Sequence, residues 1–167
     1  MPLTTTEGIT NLSPDLPGAS FIFRASLDVS VPPGTVLQVP IVVSGIVRPI
    51  EEITVAVHIR HRDLAALSLA LMSPDLRTVL LSAFHGGGAT SLGESRERPL
   101  LFTDRAPMSI ARGLPPLVGA YRPLAALAAF RGLGPSDANG RWHLVVMDVG
   151  KTGAGAVVGS VTLMLRA

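Results

Sequence analysis

Side-chain catalysis of acyl or phosphoryl transfer needs a nucleophile, a base and an orienting group within reach of one another. Three stretches offer such residue types: His61-Arg62-Asp63-Leu64, His85-Gly86-Gly87-Gly88 and Gly93-Glu94-Ser95-Arg96-Glu97. The first copies the tetrapeptide of a protein-kinase catalytic loop, but no glycine-rich phosphate loop, downstream Asn or Asp-Phe-Gly accompanies it. The second has the form of an esterase oxyanion loop, which works beside a G-x-S-x-G nucleophile elbow. The nearest candidate for that elbow ends in Glu97 where the second glycine belongs. His58 and His61 are three apart on an alternating run, so they face opposite sides of a strand and cannot chelate one metal together. With no nucleophile, base and orienter assembled, the chain is expected to be non-catalytic.

Binding chemistry is thinner still. Asp104, Asp137 and Asp148 fall at strand ends and in loops, where carboxylates and carbonyls could gather calcium. That ion takes about six to eight oxygens, which three scattered acids supply only with help from carbonyls; turn capping is the favoured role. Cysteine is absent, excluding disulfides and thiolate metal sites. The pI of about 9.9 comes from a net charge of only +2, carried by scattered arginines with Lys151 as the sole lysine. Phosphate backbones are bound by clustered cations, so nucleic acid is not an expected partner. One Trp and one Tyr are too few to stack sugars, which counts against a carbohydrate-binding module. Tyr121 and Arg122 lie in a Gly/Pro-rich loop and are candidate partner contacts, with a core-anchored tyrosine as the alternative.

The elements that would position these residues are strands. Residues 51–82 hold three runs. In the first, Val55, Val57 and Ile59 alternate with polar or small neighbours; in the second, Leu67, Leu69 and Leu71 do; the third is residues 78–81. Ser73-Pro74-Asp75 makes the turn between the last two. Three neighbouring antiparallel strands are expected from them. Residues 21–31, 36–44, 100–102, 142–147 and 157–165 read as further strands, with Pro40 marking an edge or a bulge. Trp142 heads an alternating strand and reads as a core plug. Residues 124–130 have room for one helical turn. About eight strands and no long helix predict an all-β fold, an antiparallel β-sandwich of jelly-roll-like form over residues 19–167. Residues 1–18 read as a flexible tail or linker, and the glycosylation sequon at Asn11 there carries little weight without a secretion signal.

Hydrophobic residues make up 47% and charged residues 16% of the 167 positions. That is well below the roughly 25% of charge usual in globular chains, and mean hydropathy is +0.45. Some surface is therefore expected to be covered by a protein partner or a second copy. The uncharged final run, 157–165, is expected to offer an unguarded edge for self-association. No apolar stretch approaches the roughly 18 residues of a membrane-spanning helix. Residues 1–20 have neither a basic start nor a continuous apolar segment, so no signal peptide is expected.

The order of short motifs resembles the P domain (P/Homo B domain) that follows the catalytic domain in kexin-like subtilisin proteases. Residues 55–59 followed by His61 look like the family's strand ending in His. Leu67, Leu69, Leu71, Ser73 and Pro74 resemble its L-x-I-x-L-x-S-P stretch, with Val79, Leu81 and Ser82 at the family spacing. Phe102 and Asp104 look like its F-x-D. Gly119, Tyr121, Pro123, Leu127, Phe130 and Gly132 resemble its next block, and Gly140, Trp142, Leu144, Val146 and Asp148 its G-x-W-x-L-x-V-x-D. The series covers residues 36–165. Three positions depart from it: the acid expected before Leu67 is Ala66, the turn reads Ser73-Pro74-Asp75-Leu76-Arg77 without the family's glycine, and the last strand has Val161 or a neighbour where the family usually carries a Trp. The resemblance implies a core of Leu67, Leu69, Leu71, Phe102, Phe130, Trp142, Leu144 and Val146. It also implies a non-catalytic module that packs on a subtilisin-like serine protease, stabilises it or tunes its pH and calcium response, in an extracellular or periplasmic setting. The alternative reading is a stand-alone structural or adhesive subunit of a larger bacterial assembly.

Overall fold

A computed structural model describes residues 6–10, 18–85, 89–151, 153 and 155–167, with backbone alone at 6–10, 26 and 27. Among these described residues, eleven strands form two sheets: β1 (Thr6–Thr10), β2 (Ser20–Val31), β3 (Val36–Val43), β4 (Glu52–Arg60), β5 (Leu67–Met72), β6 (Thr78–Ala83), β7 (Ser91–Leu92), β8 (Leu100–Phe102), β9 (Gly119–Tyr121), β10 (Gly140–Asp148) and β11 (Ala156–Arg166). The larger sheet runs β1-β2-β11-β4-β8-β9, with β7 also on β4, and the smaller runs β3-β10-β5-β6. All neighbours are antiparallel except β8 and β9. The architecture is a β-sandwich.

Alternation along each strand becomes rows across each sheet. In the larger sheet, Phe23, Leu163, Val55, Phe102 and Tyr121 stand in one register row, and all five are buried. In the smaller sheet, Val39, Leu144, Leu71 and Val79 form the facing kind of row, also buried. With period 2, every second residue of these strands is apolar on the same face, and two such faces close on each other. Leu67, Leu69, Leu71, Phe102, Phe130, Trp142, Leu144 and Val146 are each 3% exposed or less. In a core so poor in aromatics, the Trp142 and Phe130 rings meet edge to face with centroids 5.0 Å apart.

Four expectations are corrected. The three runs of residues 51–82 are not three neighbours: β4 lies in the larger sheet, whereas β5 and β6 pair in the smaller. Residues 61–66, with a 3-10 turn at Leu64–Ala66 capped by the Asp63 carboxylate, carry the chain across the sandwich. The uncharged last strand is central, between β2 and β4, because a strand buried on both flanks needs no charge to guard an edge. Part of the expected tail, residues 6–10, is β1, paired with β2; the rest of it, with the Asn11 sequon, lies outside the described residues. Three strands of two to five residues (β1, β7, β9) raise the count above eight, being too short to show a period. Pro40 lies in β3, at the edge of the smaller sheet. Gly86, Gly87 and Gly88 and residues 152 and 154 lie outside the described residues.

Candidate functional site

The chemistry-bearing residues gather where the chain crosses between the sheets. His61 leaves the end of β4, and Asp148 closes β10 in the opposite sheet. His61 Nε2 lies 2.9 Å from Asp148 Oδ2, and the two side chains are 8% and 0% exposed. The Asp63 N–H donates to His61 Nδ1 at 2.8 Å, so that nitrogen holds a lone pair and Nε2 carries the proton toward Asp148. Asp148 Oδ1 accepts from the Gly150 N–H at 2.7 Å. A Cβ at Gly150 would stand 2.8 Å from that same oxygen, so the turn requires glycine. In hydrolytic triads a carboxylate orients a histidine whose other nitrogen faces the nucleophile. Here that other nitrogen is already engaged by backbone. The pair ties the end of β4 to the end of β10 and so fastens one sheet to the other.

Asp104, after β8, is engaged in the same way. Its two carboxylate oxygens accept from the Leu127 and Ala128 N–H groups at 2.9 and 2.8 Å, capping the 3-10 turn Leu127–Phe130. Asp137 is exposed in the first turn of the short helix Pro135–Ala138. The three acids thus lie in three separate local structures, and among the described residues no group of three or more His, Asp or Glu gathers to hold a metal. Tyr121 is only 9% exposed and belongs to the core, while Arg122 beside it is exposed. The tyrosine anchors its loop, with its strand β9 in register with Phe102.

Asn139 was not singled out in the sequence, although it holds the 45–47 loop. Its Oδ1 accepts from the Ile46 N–H at 2.9 Å, and its Nδ2 donates to the Ile46 and Pro135 carbonyls at 2.7 and 2.9 Å. The Asn139-Gly140 dipeptide marks a turn, but nothing in it names a partner 93 residues away. The Trp142 Nε1–H donates to the Ala138 carbonyl at 2.8 Å, so the buried indole is satisfied.

Among the described residues, three titrating groups depart from their ordinary ranges. The Ser73 hydroxyl, with help from Arg77, holds the Asp75 carboxyl low. Its own N–H and the Ser95 hydroxyl do the same for Glu97, with smaller contributions from Arg96 and His58. Burial pushes the His143 imidazole down, and Arg141 adds to it. His58 lies over Gly159, where a Cβ would meet its ring at 2.8 Å, and its buried Nδ1 has no hydrogen-bond partner.

These features define a two-sheet β-sandwich whose ionisable residues brace its ends. No protein-family model matches the chain, and none of the curated proteins matches it. Among solved structures, it is similar to the serine protease of Aeromonas sobria, at 14% identity and a TM-score of 0.47. It is also similar to a chain in the complex of the Aeromonas sobria serine protease with its chaperone, at 15% identity and a TM-score of 0.50. All of this chain is covered in both cases, and it spans 28% of the length of each matched chain. At such identity the likeness is one of fold. No helix among the described residues is long and apolar enough to cross a membrane.

Proposed function

We propose that the chain is a non-catalytic P-domain-like module that packs on a subtilisin-like serine protease and stabilises it. The observation that carries this reading is the meeting of residues from separate motifs. His61 bonds Asp148, Asp104 caps the turn of Leu127, and Phe130 packs on Trp142. Motifs that resemble the family in order thus interlock in space, as one inherited design would require. The fold likeness to a chain of a protease–chaperone complex supports the same partner class. The occupied His61 ring, braced on both nitrogens, supports a role without chemistry.

The test is to mix the purified chain with a purified subtilisin-like protease and follow peptide hydrolysis during incubation at elevated temperature. A co-eluting complex and a several-fold longer activity half-life are expected, since binding to the native state alone adds stability. Separate elution with an unchanged half-life would defeat the reading. So would hydrolysis by the chain alone that survives repurification and is abolished by a point change in it.

A further inference from the structure

The fold calls for both residues of the Asn139-Gly140 pair. One side-chain amide accepts from the Ile46 N–H and donates to the Ile46 and Pro135 carbonyls. A carboxylate of the same length would keep the first bond and have no N–H for either carbonyl. Gly140 has φ +135°, and a Cβ there would stand 3.3 Å from two atoms of the Pro74 ring. Such a backbone suits glycine. Ile46 is 2% exposed and lies in the connection from β3 in the smaller sheet to β4 in the larger. The amide therefore latches that connection to the head of β10.

The same pair carries a reactivity. Asparagine is among the thermolabile side chains, and a following glycine has no Cβ to hinder attack by its own backbone nitrogen. Gly140 N would bond to Asn139 Cγ, closing a five-membered succinimide, while the amide nitrogen leaves as ammonia with the Gly140 N–H proton. Water then opens the ring at one carbonyl to give aspartate, or at the other to give isoaspartate, whose main chain runs through the former side chain. Only water is consumed. In the folded chain Asn139 is extended, with φ −76° and ψ 136°. Gly140 N is then rotated away from the near-eclipsed position beside Cβ that the ring requires. The amide is also tied to Ile46 and Pro135. Ring closure needs those bonds to break and ψ to turn.

We propose that Asn139-Gly140 is a deamidation site gated by this latch, protected while the corner is closed and reactive when it opens. Conversion is one-way. The carboxylate it leaves faces two carbonyls that have lost their donor, which disfavours reclosing. The β3–β4 connection is loosened for good, whether or not the chain binds a protease.

Folded chain and chain denatured in guanidinium chloride are incubated side by side in mildly alkaline buffer. Peptides are mapped for the amide-to-acid mass change and for isoaspartate. Asn11, the other asparagine of the sequence, precedes leucine and serves as the internal control. Conversion at residue 139 should be at least about tenfold slower in the folded chain, because it waits on local opening. In the denatured chain it should outpace conversion at Asn11. Equal rates at residue 139 in the two states, or a rate no higher than that of Asn11 in the denatured chain, would overturn the proposal. Asn139→Asp reproduces one product, and its urea midpoint should fall below the parent's. If that variant does not fold, the converted fraction of aged parent, separated by its added negative charge, is unfolded in its place. A midpoint equal to the parent's in either would show that the latch does not depend on the amide.

Discussion

Leu76 shows what a single residue costs this fold. It occupies the position where the resembling family places a glycine, and its φ is +68°. The left-handed region suits glycine and crowds the Cβ of any other residue, at roughly 1–2 kcal/mol. The conformation is imposed by its neighbours. Leu76 N–H donates to the Ser73 carbonyl at 2.9 Å, Ser73 N–H to the Arg77 carbonyl at 2.9 Å, and the Ser73 hydroxyl bonds Asp75. Arg77 then reaches the Ala129 carbonyl at 2.8 Å, tying the turn to the 127–130 segment. At 72% exposure the leucine gains little burial in return. Leu76→Gly should therefore stabilise the chain, by about 0.5–1 kcal/mol after allowing for the greater freedom of glycine when unfolded. Urea denaturation measures it. A midpoint at or below that of the parent would mean that the Leu76 side chain contributes more than its exposure suggests.

Among the elements, β10 ties together several that are far apart in sequence. It is central in the smaller sheet, begins at the Gly140 turn and ends at the Asp148 clamp. Trp142 joins it to two further pieces, the Phe130 turn through the ring contact and the Pro135–Ala138 helix through the indole N–H. Trp142→Ala is expected to cost about 3–5 kcal/mol, the range for large aromatic truncations in cores. An unchanged denaturation midpoint would show that the neighbouring chain collapses into the space. This strand was legible beforehand because Trp142, Leu144 and Val146 repeat with period 2 over enough residues to be seen. The same period placed Val55, Val57 and Ile59 correctly on a strand and wrongly beside Leu67. Alternation reports which face of a strand is buried, but both sheets bury a face of the same kind. Which sheet a strand joins was decided by the 61–66 crossing, and its determinants, one His–Asp bond and one Asp cap, are a residue pair 87 apart and a local turn. The carboxylates illustrate the same limit: Asp104 and Asp148 were visible as acids at strand ends, but their N–H and imidazole partners come from other parts of the chain.

For the molecule as a whole, the low charge and high hydropathy suggested self-association through an uncharged edge, and the sheet order removes that edge. β11 has β2 on one side and β4 on the other. The true edges are each blunted. β3 carries Pro40, which has no N–H to offer a new strand and still pairs in register with His143. Along β6, Leu124 and Ala125 donate to the Leu81 and Leu80 carbonyls at 3.0 Å each, so a loop covers it. β9 has three residues and β1 five, too short to template a stable pairing. The apolar excess is largely accounted for by the interior, where aliphatic rows replace aromatic bulk. Among the described residues the exposed large hydrophobics are spread over several elements: Val36 and Val42 on β3, Leu80 on β6 with Leu124 in the loop along it and Phe84 just after it, and Val47, Leu76, Met108, Leu114 and Val149 in connections. Scattered residues of this kind are ordinary on soluble surfaces. With no partner present, sedimentation velocity from about 1 to 100 µM at roughly 0.15 M salt, where surface charges are screened beyond about 8 Å, should show one species near 17.4 kDa. A mass that climbs with concentration would place a self-interface on one of those exposed apolar faces. Loss of that climb in Leu80→Glu, but not in Val42→Glu, would assign it to the β6 side.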